Sequence, residues 1–176
     1  LICIWVMFIG IGGVSRSGKS TMAGTVRELY PQKRVVILSQ DDFVFPTHRI
    51  PRIGGEIDWE CPESMDFESF YNALVSAQQE ADLVVGEGIL VFYTPALDRL
   101  FNRKIFITIT ESEFRHRKIT DHRWGAFPDW YIDHIWTSYE RFGKIATGRS
   151  DVLYVNGEKP FMVKHIRRYI NTGDHS

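Results

Sequence analysis

Cysteine is scarce in this chain of 176 residues. Only Cys3 and Cys61 are present, too few for a disulfide framework and without the paired spacing of a metal site. An excess of either charge is also missing. The formal net charge is -1, which speaks against broad electrostatic binding to nucleic acid or to an anionic membrane. The apolar run from Leu1 to Ile11 is about half of the ~20 residues that a spanning helix needs, and no basic region leads it. Repeats, low-complexity tracts and long linkers are absent. The six histidines show no ligand spacing, so His116, His122 and His134 read as surface or lid residues. With 44% apolar and 24% charged residues, the expectation is one folded domain over 1–176, cytoplasmic, a monomer or weak homodimer. The chain opens on Leu1; if Met7 is the natural start, residues 1–6 are foreign to it.

What is present is alternation. Short apolar runs at Met7–Ile11, Val35–Leu38, Leu83–Val85, Ile105–Ile109 and Val152–Val155 predict parallel strands buried on both faces. Between them lie segments of helical period. Met22, Val26 and Leu29 share one face. Phe67, Phe70, Tyr71 and Leu74 recur at i, i+3, i+4, i+7, as do Ile132, Ile135, Trp136 and Tyr139. Thr110 with Glu113 forms a capping-box signature, and Pro160 suits the first turn of a last helix. The fold class is therefore α/β, with ligands expected beyond the carboxyl ends of the strands.

Gly13, Val14, Ser15, Arg16, Ser17, Gly18, Lys19 and Ser20 fit G-x-x-x-x-G-K-[ST], between a strand and an amphipathic helix. This loop, continued by Thr21, is the expected ATP site. Its amides form an anion nest, Lys19 sets a cation at the β- and γ-phosphates, and the Ser20 hydroxyl suits Mg²⁺. No Asn-Lys-x-Asp guanine reader is found, so a small-molecule kinase is favoured over a GTPase switch. Asp41, after the second strand, is placed to accept the proton of an acceptor hydroxyl and to touch the metal; Asp42 reads more as a turn residue. Glu87 ends an apolar strand like a Walker B acid, holding Mg²⁺ through water or polarising a water. Arg115, Arg117, Lys118 and Arg123 are either a solvated face or a lid closing on phosphate, with Trp124 to Pro128 as its hinge. In the long loop from Phe45 to Pro62, Trp59 beside Glu60 suits a ring and a ribose, or Trp59 anchors the loop on the core.

These residues resemble the nicotinamide riboside kinase branch of the uridine kinase-like P-loop family over nearly the whole chain from Phe8. The marks are the P-loop, Ser39-Gln40-Asp41-Asp42-Phe43, Glu87-Gly88-Ile89-Leu90 and Tyr131-Ile132-Asp133-His134-Ile135-Trp136. The resemblance implies a P-loop NTPase fold with a five-stranded parallel sheet and a small lid near 115–130. It also implies ATP- and Mg²⁺-dependent phosphorylation of a ribosyl 5′-hydroxyl, with nicotinamide riboside foremost. It implies Asp41 as the catalytic proton acceptor, with Ser20 and Asp41 near the metal; Lys19 joins the catalytic set from the phosphate loop, and Glu87 the metal set from its strand. Asp41, Asp42, Phe43, Val44, Trp59, Glu60 and Lys118 would meet the substrate; Arg117, Arg123, Asn156, Gly157 and Glu158 would meet ATP. Glu60 stands where the family usually has Asp, and Lys118 where it often has Arg, so uridine, cytidine or pantothenate are alternative acceptors, and a nucleotide-binding regulator without catalysis is a further one.

Overall fold

The strand–helix alternation is realised in the computed structural model, which describes residues 6–121 and 128–175. Strand β1 (Met7–Gly13) leads through the loop to α1 (Lys19–Leu29) and β2 (Val35–Ser39). A small hairpin, β3 (Arg52–Ile53) and β4 (Glu56–Ile57), precedes α2 (Phe67–Ala77) and β5 (Leu83–Gly88). Then follow α3 (Pro95–Leu100), β6 (Arg103–Thr108), α4 (Glu111–Ile119), α5 (Asp129–Ser138), β7 (Val152–Asn156) and α6 (Val163–Thr172). The five long strands form a parallel sheet in the order β2-β5-β1-β6-β7.

The expected near-continuous apolar character has its cause in this layering. Successive side chains of a strand point to opposite faces, and both faces are covered. Ile9 and Ile11 of β1 face a layer built from Met22, Ala23 and Val26 of α1 and Ile166, Tyr169 and Ile170 of α6. Phe8 faces the other layer, which holds Phe70 and Leu74 of α2, Leu97 of α3, Phe114 of α4 and Ile132 and Ile135 of α5. Full burial of one such side chain contributes about 1.5–3 kcal/mol, so this double layer fixes the sheet and the loops at its carboxyl edge.

Several local expectations change. The third long strand runs beyond Val85 to Gly88, buried throughout, so Glu87 lies inside it; the fourth ends at Thr108 instead of Ile109. Helix α6 begins at Val163, not at Pro160; Phe161, ahead of it, lies over the glycine turn of the phosphate loop, where a β-carbon on Gly18 would stand 3.2 Å from its ring. The capping box at α4 is half made. Thr110 Oγ1 accepts from the Glu113 amide at 3.2 Å, but Glu113 turns to Arg117, and Glu158 takes the Thr110 amide at 2.6 Å. Tyr139 lies past the end of α5, in a π-helical turn Tyr139–Gly143. Among the described residues no helix is long and apolar enough to cross a membrane.

Candidate active site

The loop between β1 and α1 is shaped to receive an anion. Arg16 and Gly18 take left-handed backbone angles, φ 65° and 106°, and the Ser17 amide closes a turn on the Val14 carbonyl at 3.1 Å. Gly18 caps α1 without a side-chain acceptor, and the first turn carries no acid. The orphan amides there, at the positive end of the helix dipole, are thus left for a phosphate. Lys19 Nζ rests 3.0 Å from the Val14 carbonyl. Loss of water pulls its ammonium below the usual lysine range, opposed by the charges of Glu87, Asp41 and Glu60.

Asp41 reaches the same place from β2. Ser39 pairs in register with Glu87 on β5, and a 3-10 turn, Gln40–Phe43, follows. Gln40 is 1% exposed and its Oε1 accepts from the Leu90 amide at 2.9 Å. It fills the space above Gly88, where a β-carbon would stand 2.3 Å from that oxygen. This interlock holds the residue after Gln40 against the end of β5. Asp41, Lys19, Ser20, Thr21, Glu87 and Lys118 line one cleft of about 480 Å³, with Ser15, Arg16, Gly18, Ile89, Arg117 and Asp121. Ser20 Oγ donates to Glu87 Oε1 at 3.0 Å. A hydroxyl and two carboxylates on one cleft are the hard oxygens that suit Mg²⁺, which takes one or two carboxylates and draws its other ligands from phosphate and water. Among the described residues no cluster of three or more His, Cys, Asp or Glu could hold a metal ion by itself.

The basic face of α4 divides in two. Arg115 turns outward to Glu111, at 2.7 Å, and to Asp133, which makes it part of a solvated face and not of a lid. Arg117 turns inward: it donates to the Arg16 carbonyl at 3.1 Å and the Gly157 carbonyl at 2.9 Å, with Glu113 behind it at 2.6 Å. It thereby ties the phosphate loop to the segment Asn156-Gly157-Glu158, where Asn156 Oδ1 accepts from the Glu158 amide at 2.8 Å. Arg16 pairs with buried Asp121 at 3.5 Å, a partner that the sequence reading did not single out. Arg123 and the segment Trp124 to Phe127 lie outside the described residues.

The residues expected to meet the substrate are less uniform. Trp59 is 40% exposed, so it does not serve as a core anchor. Glu60 is half-buried, and loss of water pushes its carboxyl up to about 7, with Lys118 opposing and Asp41 reinforcing the shift. Phe43 instead packs on Phe70, ring centres 5.3 Å apart, among core residues. Asp42 is exposed, and Val44 bridges to Met65. Neither Phe43, Asp42 nor Val44 lines the phosphate cleft. Of the histidines read as surface residues, His134 is a correction. Its Nε2 lies 2.7 Å from Asp58 Oδ1, with both side chains mostly buried. The i, i+3 spacing of Tyr131 and His134 on one face of α5 was the available signal.

Fold and site together define a P-loop phosphotransferase of the small-molecule kinase class. No protein-family model matches the chain. Among curated proteins it is similar to nicotinamide riboside kinase 1 of Homo sapiens, 29% identical over 169 residues that cover 86% of this chain and 84% of that one. It is also similar to uridine-cytidine kinase 2-B of Danio rerio, 25% identical over 94% of this chain and 80% of that one. Among solved structures, a sugar kinase from Janibacter sp. shares the fold with a TM-score of 0.64 at 15% identity, covering 98% of this chain and 96% of its own. The resemblance to nicotinamide riboside kinases and their uridine kinase-like relatives, read first from four motifs, is borne out over most of the chain.

Proposed function

We propose that the chain transfers the γ-phosphoryl group of ATP to the 5′-hydroxyl of a ribosyl nucleoside, nicotinamide riboside before others. The observation that carries this reading is the shared cleft: the amide nest and Lys19 on one wall, Asp41 on another. Such transfer needs little covalent chemistry from the protein. It needs the two oxygens held in line and the charge on the phosphoryl group compensated. The nest and Lys19 would bind and orient the phosphates. Asp41 would hold the acceptor hydroxyl by a hydrogen bond and take its proton as the oxygen attacks. Ser20, Asp41 and Glu87 would hold Mg²⁺, which when bound compensates charge on the β- and γ-phosphate oxygens.

Arg117, with Asn156 to Glu158, would border the nucleotide, Lys118 would meet the substrate, and the chain would act as one kinase unit with a lid near 115–130. Trp59 would stack on the base and Glu60 would accept from the ribose hydroxyls. The likeness to a uridine-cytidine kinase favours a pyrimidine nucleoside as the second acceptor.

The test is an ADP-release screen over nicotinamide riboside, uridine, cytidine and pantothenate, each with Mg-ATP and Mg-GTP. Release stimulated most by nicotinamide riboside is the expected result. Stimulation by pantothenate alone would overturn the nucleoside assignment, and nucleotide binding without any acceptor-dependent release would leave a regulator.

A further inference from the structure

The segment that carries Trp59 and Glu60 is not part of the main sheet. Its strands β3 and β4 pair only with each other, as a separate two-stranded ribbon. Support comes from the side, from α5. Near the amino end of that helix, Trp130 lies against the ribbon's turn: a β-carbon on Gly54 would stand 2.9 Å from its ring. At the next residue, the Tyr131 hydroxyl donates to the Ile57 carbonyl at 3.1 Å and accepts from the Trp59 amide at 3.3 Å. Next comes His134, whose Nε2 meets Asp58 Oδ1 at 2.7 Å. A carboxylate can only accept, so this ring nitrogen is the donor. The same oxygen accepts from the Glu60 amide at 3.1 Å.

One carboxylate oxygen therefore joins the imidazole of α5 to the main chain of Glu60. The side chains of His134 and Asp58 are 17% and 13% exposed, so little water is at hand to replace either partner. We infer that His134 is a positioning residue for the acceptor: through Asp58 it sets the height and angle of the Trp59–Glu60 pair over the cleft. The inference rests on the nucleoside-kinase reading above. A displacement on the order of 1 Å in such a pair is enough to weaken acceptor binding, while the phosphate nest, held by β1 and α1, would be untouched.

The experiment compares the full chain with His134→Ala, His134→Gln, Asp58→Ala and the double alanine variant, measuring KM for the nucleoside, KM for ATP, kcat and the melting temperature. His134→Ala should raise the nucleoside KM about tenfold, with ATP KM and kcat within about twofold, the pattern of lost uniform binding. His134→Gln keeps a donor near the position of Nε2 and should restore most of the loss even if the alanine variant is poorly folded. Asp58→Ala should match His134→Ala, and the double variant should add little to either, as expected of residues acting through one bond.

Nucleoside and ATP KM rising in step, a glutamine variant no better than alanine, or fully additive effects would overturn the inference. Failure of the two readings is distinguishable. A parent chain that phosphorylates no nucleoside removes the nucleoside-kinase reading and this inference with it. A parent that turns over while His134→Ala matches it removes the inference alone.

Discussion

The phosphate cleft and the proposed acceptor wall are built by different means. The phosphate wall is continuous with the core. β1 pairs on both sides with β5 and β6, its loop closes on its own carbonyls, and α1 packs Met22 and Val26 beneath it. The proposed acceptor wall, whose Trp59 and Glu60 stand outside the lining of that cleft, is a ribbon of two-residue strands leaning on one helix through a few polar contacts. The phosphate wall has the geometry of a fixed template. The acceptor wall can change its side chains without disturbing the sheet. That difference offers a physical reason why one nest suits many kinases while acceptors differ, since function is grafted on a fold by its loops.

The sharpest way to separate the walls is through the residue between them. Asp41→Ala should lower kcat by roughly 10²–10⁴-fold, the usual worth of a positioned proton acceptor, while ATP still binds. Stopped-turnover measurement together with nucleotide titration checks both halves. Near-normal turnover would remove Asp41 from the chemistry. Asp41→Asn, which keeps the hydrogen bond but not the basicity, should sit nearer to alanine than to the parent.

A weaker effect is expected on the acceptor wall. Trp59→Ala should raise the nucleoside KM roughly tenfold to a hundredfold, the range of stacking between a base and an aromatic ring. ATP KM should hardly change, because Trp59 is absent from the residues that line the phosphate cleft. The 40% exposed ring gives up little packing, so the melting temperature should stay within a few degrees. A large loss of stability would mean that Trp59 supports the loop after all.

Sequence legibility follows the same division. The strand, phosphate loop and helix of the first wall were legible because each signal is local: a run of buried apolar residues, a glycine-bound motif, a helical stripe. Asp41 and Glu87 were legible by position, the one just past the end of such a strand and the other near the end of another. The ribbon was read as a loop, since strands of two residues carry no periodicity. Helix α3, six residues long, was missed for the same reason, although Thr94 caps it and Pro95 opens it. The link between His134 and Asp58 spans 76 positions, and nothing local in either residue announces the other. Phe43 was singled out by its place in a motif; its packing on Phe70 of α2 is a contact that the motif does not announce. Arg115 and Arg117 are two apart on one helix, so one faces water and the other the loop; a charge cluster read as a block could not divide them.

The smallest effect concerns pH and again sets one wall against the other. Glu60 has its carboxyl pushed up to about 7, first by loss of water, with Lys118 pulling the other way and Asp41 adding to the rise. An acid so shifted is mostly protonated at pH 6 and mostly ionised at pH 8. Its ionised form accepts charge-assisted hydrogen bonds from ribose hydroxyls, whereas the protonated form gives up one acceptor site. Nucleoside KM should therefore fall as pH rises from 6 to 8, by at most about tenfold, since a single group near 7 changes its ionised fraction by about that factor. Glu60→Gln should flatten this dependence and hold the nucleoside KM near its low-pH value. Initial rates at several nucleoside concentrations across that range, with ATP saturating, measure it directly. A KM that climbs with pH, or one whose slope survives in Glu60→Gln, would show that the ribose is not read by this carboxylate.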